Sequence, residues 1–254
     1  MESILWSKDL YKTYTVKNNT QDILRQVNIN IRKGEFVSIM GPSGSGKSTL
    51  LYTLSGMDVF DSGDVVFSGN SLSTLSEKEL PKLRLHKMGF IFQHIHLLKN
   101  LGIKDNIILS AFEANNRSKE SINQKANELM EKTGIAQLAE NNITQVSGGQ
   151  LQRAAICRAL INEPEIIFGD EPTGALDSKS AKEVLDILRE INSAGTTLLL
   201  VTHDAKVAAQ SERVLFMQDG NIIHEETLGS YSSSNNGIRQ REEAITKRML
   251  DLGM

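Results

Sequence analysis

The sequence predicts an α/β fold with a mainly parallel core sheet, an antiparallel β subdomain and an inserted α-helical subdomain. Three observations carry this prediction. Apolar strand-like runs alternate with helix-period segments, the order that lays helices on a parallel sheet. GPSGSGKST, residues 41–49, lies between one such strand and one such helix. From about residue 76 to 160 the alternation gives way to polar, helix-favouring segments such as RSKESINQKANELMEKTG.

Taken in order, ILWSKDLYKTYTV (4–16) and DILRQVNINI (22–31) read as two strands joined by the polar turn KNNTQ. Val27, Ile29 and Ile31 alternate as in a half-buried strand. Residues 35–40 form a buried strand that runs into the glycine loop, and a helix follows from Lys47 to about Ser55. SGDVVFSGNSL (62–72) is a further strand element bounded by glycines. EIIFGDEP (165–172) is a short apolar strand ending in acids. In SKSAKEVLDILREINSAG a helix sets Ala181, Val184, Leu185, Leu188 and Ile191 on one face and stops at Gly195. TTLLLVTHD is another buried strand, and RVLFMQDGNIIHEE is a hairpin about Asp219-Gly220. SYSSSNNG (230–237) reads as a linker. Beyond it Ile238, Ile245, Met249 and Leu252 recur on one helical face, which fits either a short amphipathic helix or a frayed, solvated tail.

Hydrophobic residues make up 39% of the 254 residues and charged ones 23%, enough for a packed core. The net charge of −3 argues against binding nucleic acid by phosphate neutralisation, so no nucleic-acid partner is expected. One cysteine, Cys157, permits neither an intrachain disulfide nor a multi-thiolate metal site and fits a reducing compartment. It is expected to be inert packing. The N-terminus lacks the apolar core of a signal peptide, and no run approaches the roughly 20 residues of a membrane helix. The expectation is a soluble chain that can still be peripheral to a membrane.

GPSGSGKST matches G-x-x-x-x-G-K-[ST] in the strand-to-helix context that this motif requires. Gly41, Gly44 and Gly46 let the backbone wrap a triphosphate; Lys47 reaches the β- and γ-phosphates, and the Ser48 hydroxyl ligates Mg²⁺. EIIFGDEP delivers Asp170 and Glu171 at a strand's carboxyl end, where ligands bind in such sheets. Asp170 suits a metal shell and Glu171 suits polarising a water. VSGGQ (146–150) is a second cradle: Ser147, Gly148 and Gly149 front a helix, with no lysine. Three single residues each have two readings. His203 is a γ-phosphate contact or a loop cap, Gln93 a metal or water contact or plain surface, and Tyr14 an adenine platform or strand packing.

GPSGSGKST, GFIFQ, VSGGQ, IIFGDEPTGALD and VTHD, in this order, resemble the ATP-binding cassette of ABC transporters over residues 4 to about 226. The resemblance implies a P-loop NTPase cassette that hydrolyses ATP with Mg²⁺. It assigns Gly41, Pro42, Ser43, Gly44, Ser45, Gly46, Lys47, Ser48 and Thr49 to the phosphates and Tyr14 to the adenine. It gives Ser48, Gln93 and Asp170 to the metal, Glu171 the role of catalytic base, and His203 the γ-phosphate. Ser147, Gly148, Gly149 and Gln150 would bind ATP held by a second copy of the chain, so the second cradle needs no lysine of its own. Residues 174–177 match the loop that contacts the partner cassette. Val146 stands where leucine is usual and Gly169 where a larger aliphatic residue is usual; neither touches a phosphate or metal role.

Within that family the motifs resemble cassettes of the macrolide-exporter, lipoprotein-releasing and bacitracin-resistance type. That likeness implies a permease partner with four transmembrane helices per chain and a large extracytoplasmic domain, at the cytoplasmic face of the cell membrane. The expected function is efflux of, or resistance to, antimicrobial peptides or other amphiphiles. The alternative keeps the permease but transmits force or a signal without moving solute. The expected division is a nucleotide-binding domain over 1–228, its helical subdomain at about 76–160, and a linker with a C-terminal amphipathic extension over 229–254. Residues 93–101 and 107–112 are the expected permease contact.

Overall fold

The computed structural model describes residues 2–16, 19–230 and 235–254. Lys17 and Asn18 of the expected first turn, and residues 231–234 of the expected linker, lie outside them. Strands β1 (Ser3–Val16) and β2 (Asn19–Arg32) pair antiparallel, with register shifts near Asp9 and Gln26, both at positive φ. β3 (Phe36–Met40) is buried along its whole length and ends at the glycine loop, from which α1 (Lys47–Leu54) starts. β4 (Ser62–Phe67) pairs with β1, and the short β5 (Asn70–Ser71) pairs with β4. Next come α2 (Glu79–Lys87), β6 (Met88–Ile91), α3 (Ile103–Ala114) and α4 (Lys119–Lys132), whose N-cap is Ser118. α5 (Gly148–Leu160) follows the second cradle, and β7 (Ile166–Asp170) carries five buried residues in a row. α6 (Ser178–Ser193) is capped by Asp177, and Val184, Leu185 and Leu188 of its expected apolar face are buried. The chain closes with β8 (Thr197–Thr202), α7 (Ala205–Ala208), β9 (Arg213–Gln218), β10 (Asn221–Thr227) and α8 (Asn235–Asp251). Asp219 and Gly220 both take positive φ, the conformation a two-residue hairpin turn requires.

The chain divides into two compact units, Met1–Leu80 with Thr197–Met254, and Pro81–Thr196. In the first, β10, β9, β3 and β8 lie side by side, with β3 parallel to both β8 and β9, and the antiparallel sheet runs β2-β1-β4-β5. These are the parallel core and the antiparallel subdomain that the sequence predicts. Arg213 ties the unit together: its guanidinium donates to both Glu35 carboxylate oxygens, at 2.8 and 3.0 Å, and also to Glu225 and to the Asn30 carbonyl. Burial by itself lowers the guanidinium pKa, but hydrogen bonds and charge from Glu35 and Glu225 raise it above its ordinary value.

The C-terminal segment is a formed, docked helix, so the frayed-tail reading does not hold. Ile245 of α8 is fully buried among Met40, Ala208, Ala209, Val214 and Phe216, with Met249 and Leu252 packed alongside. Arg241 donates to five backbone carbonyls, those of Ala209, Ser211, Leu228, Gly229 and Ser230. One planar fork thus satisfies loop ends that helices and strands leave open. Arg241→Ala is expected to cost about 2 kcal/mol, as for charged hydrogen bonds. Hydrogen exchange on α8 amides and the urea midpoint check this; unchanged values in both would remove the clamp.

The second unit pairs β6 parallel with β7 and builds its helical core from α3, α4 and α5, around Ile107, Ile122, Ala126, Met130, Ala154 and Ile161. Cys157 belongs to that core. Burial pushes its thiol up to about 12, although the Thr133 hydroxyl lies 3.1 Å from the sulfur. A thiol held protonated is a poor nucleophile, in keeping with a packing role.

Candidate functional site

In the first unit, Gly41 has no room for a side chain: an added Cβ would meet the Met217 carbonyl oxygen at 2.0 Å. That close approach forces the chain from β3 into the loop. Gly46 then takes φ +101° as the N-cap of α1. Lys47 opens the helix and curls back, its Nζ donating to the carbonyls of Gly41 at 2.9 Å and Pro42 at 2.8 Å. Ser45 is tied to Gly220 of the β9–β10 turn through its carbonyl, while its hydroxyl is buried with no hydrogen-bond partner. Amides of the first turn of α1 lack intrahelical acceptors, and the positive end of the helix dipole lies among them. A loop of this shape holds phosphate.

β3 and β8 are parallel and in register, Met40 opposite Thr202. The phosphate loop and the exposed His203 therefore leave adjacent strands at the same carboxyl end. Tyr14 is 42% exposed on β1, and its hydroxyl donates to the Asp58 carboxylate.

In the second unit β6 and β7 repeat this geometry, with Ile91 opposite Gly169. Gln93, two residues past β6, and Asp170, the last residue of β7, emerge at one end of the pair. Glu171 takes φ +44°, a left-handed conformation costing a residue with a Cβ on the order of 1 kcal/mol. Such strain concentrates at functional sites. Gly174 shows where the side chain goes: an added Cβ would lie 3.1 Å from Glu171 Oε2 and 3.2 Å from Gln93 Nε2. Glu171 and Gln93, 78 positions apart, thus reach the same point beside Gly174.

The second cradle is a capping box. The Ser147 Oγ accepts from the Gln150 amide, and Gln150 Oε1 accepts from the Ser147 amide at 2.8 Å. A serine hydroxyl that accepts still has its own proton to donate. Gly149 is required by packing, since an added Cβ would meet Ser180 Oγ of α6 at 2.6 Å. Ser180 in turn donates to Asp177 through its amide and its hydroxyl, and those bonds hold the Asp177 carboxyl below its ordinary pKa. The N-termini of α5 and α6 therefore meet at Ser180, which links Gly149 to residues 174–177. The sequence signal for Ser180 was available: a serine three positions after an Asp N-cap.

Two side chains that no motif marks shape the segment after Gln93. The buried Asn106 accepts from the Leu98 amide at 2.6 Å and donates to the carbonyls of Leu98, Leu101 and Gly102. Arg158 of α5 donates to the carbonyls of Ile95 and His96.

Each unit by itself offers donors of a kind that Mg²⁺ takes. Ser48, Gln93 and Asp170 offer hydroxyl, amide and carboxylate oxygens, and among the described residues no cluster of three His, Cys, Asp or Glu could hold a metal alone. Mg²⁺ is ordinarily held by one or two carboxylates together with substrate phosphates, not by an all-protein cage.

Residues 24–174 match the ABC transporter family. The bacitracin export ATP-binding protein BceA of Halalkalibacterium halodurans is 42% identical over 221 residues, 87% of each chain. The macrolide export ATP-binding/permease protein MacB of Psychrobacter cryohalolentis is 44% identical over 216 residues, 85% of this chain but 32% of MacB. The chain therefore spans about a third of the macrolide-export relative. The cassette MJ0796, solved as a dimer in a post-hydrolysis state with ADP and Pi, has a TM-score of 0.84 and 38% identity, covering 90% of this chain and all of that one. Sequence likeness across most of both chains and an α/β fold of the same shape lead to one conclusion: the chain belongs to the ABC transporter family and is one of its ATP-hydrolysing cassettes.

Proposed function

We propose that this cassette powers the export of antimicrobial peptides or other amphiphiles through a membrane permease with four helices per chain and a large extracytoplasmic domain. The observation that carries the reading is the likeness to a bacitracin export protein along nearly the full length of both chains. Among the described residues no helix is long and apolar enough to cross a membrane. The cassette would sit at the cytoplasmic face.

The nucleotide-binding region is taken as residues 1–228, with the helical part near 76–160 and an extension over 229–254. The phosphate loop, residues 41–49, wraps the triphosphate through its backbone amides, and Lys47 neutralises the β- and γ-phosphates. Ser48, Asp170 and Gln93 would hold Mg²⁺, which supplies charge neutralisation on the phosphates when bound. Glu171 takes the proton of a water whose oxygen attacks the γ-phosphorus as ADP leaves, and His203 donates to the γ-phosphate. Ser147, Gly148 and Gly149 of a second copy donate to the same phosphate, with Gln150 holding Ser147 in place through the capping box. Hydrolysis followed by release of the cleaved phosphate removes that contact, so the closed dimer then loses its stabilisation.

Ser147→Arg should leave the ATP affinity of the monomer unchanged while abolishing the ATP-dependent dimer in light scattering. Loss of monomer affinity would instead assign the second cradle to the chain's own nucleotide.

The permease contact is proposed at residues 93–101 and 107–112. Leu97 is packed into the helical core, but Leu98, Leu109 and Phe112 are exposed. Mass spectrometry of complexes pulled from gently solubilised host membranes tests the function. A four-helix permease whose loss sensitises cells to an antimicrobial peptide supports export. The same permease carrying a signal without solute movement would favour force transmission, and soluble partners alone would overturn the reading.

A further inference from the structure

Lys12 is an unusual residue to find where it lies. It sits on β1 at a register shift, 5% exposed, in a position where leucine or methionine would be buried at less cost. Its ammonium donates to Asp58 Oδ1 at 3.1 Å and to the Val59 carbonyl at 2.6 Å, and it stands over the Tyr14 ring, 4.8 Å from the centroid. Lys12 and Tyr14 are two apart on β1, and the ammonium-to-ring contact shows that they meet across the register shift. Asp58 closes the triangle by accepting from the Tyr14 hydroxyl. The Asp58 carboxylate is further fixed by the Val59 amide at 2.8 Å. The hydroxyl and one face of the ring are thus both held, while Tyr14 as a residue stays 42% exposed.

We propose that Lys12 and Asp58 are positioning residues for nucleotide binding, a clamp that occupies one face of Tyr14 and presents the other to the base of the bound nucleoside triphosphate. The proposal rests on the reading of Tyr14 as the base platform. A cation against one face is attracted by the ring quadrupole and leaves the opposite face for stacking. A ring already held by the Asp58 bond and the Lys12 contact loses less freedom when a base lands on it, which is how preorganisation strengthens binding. The charges agree with the geometry. The Asp58 hydrogen bond comes first among the causes that raise the Tyr14 phenol pKa. Burial works to raise the Asp58 carboxyl, but bonds from Tyr14 and Lys12 outweigh it and hold it below its ordinary value.

The test compares equilibrium binding of ATP with that of inorganic tripolyphosphate, which has phosphates and no base, on the full chain. Tyr14→Phe keeps the ring and removes its tether; Lys12→Met keeps the stem and removes the charge. Each is expected to weaken ATP about three- to tenfold and leave tripolyphosphate unchanged, with Lys12→Arg recovering most of the ATP affinity. Equal weakening of both ligands would reduce Lys12 and Asp58 to supports of the general fold, and no weakening of either would discard the clamp. Tyr14→Phe, at an exposed position, gives the answer even if Lys12→Met does not fold. Tyr14→Ala separates the two layers of the argument. If it fails to change the ratio, the base-platform reading falls. If it changes the ratio while Tyr14→Phe and Lys12→Met do not, only the clamp falls.

Discussion

Glu171→Gln is expected to lower ATP turnover by about 10²–10⁴, the usual worth of a positioned general base, while ATP binding persists. The substitution exchanges one oxygen for an NH₂ of the same size, so what it removes is the capacity to take a proton. The surroundings of Glu171 make the change clean. Its backbone geometry is set by the turn after β7, where the Gly174 amide donates to the Glu171 carbonyl at 3.0 Å. Its side chain lies beside Gly174, where glutamine fits the same space. Single-turnover phosphate release together with a nucleotide affinity reports the two quantities separately. A wild-type rate would remove Glu171 from the role of base. Lost binding would mean that the carboxylate holds the nucleotide and does not activate water.

The second large effect concerns stability. Arg213→Met is expected to cost about 3–5 kcal/mol, because it strands the Glu35 carboxylate without its guanidinium. Glu35 is 7% exposed and Arg213 9%, so water does not replace the lost bonds. For a chain of this size the melting temperature should fall on the order of 10 °C. The double variant Glu35→Leu with Arg213→Met is expected to regain much of the loss, since two apolar groups fill the site without burying a charge. Thermal unfolding of the wild type and the two variants decides it. A fall confined to a fraction of 1 kcal/mol would show that the pair is solvated like a surface ion pair.

Much of the cassette was legible before any coordinates. The phosphate loop declares itself because glycine spacing, a lysine and a hydroxyl must occur consecutively for one backbone to wrap one triphosphate. Ser147 was readable as a helix start because capping acts over three residues. The apolar face of α6 and the Asp-Gly turn are local in the same way. The tail was ambiguous for the complementary reason. Its apolar period is the same whether or not a surface exists to receive it, and the answer lay in Phe216, Val214 and the carbonyls that Arg241 gathers.

What the sequence by itself determined is therefore everything carried by short-range geometry: the alternation of strands and helices, the order of the five motifs, and the chemistry each could support. What only the tertiary structure decided is which distant side chains share a place. Lys12 meets Asp58 across 46 positions, Arg213 meets Glu35 across 178, and Gly174 lies between Glu171 and Gln93. Such pairs follow from strand register, bulges and the turns that return the chain. Those depend on the packing of the whole unit, and no spacing along the chain records them.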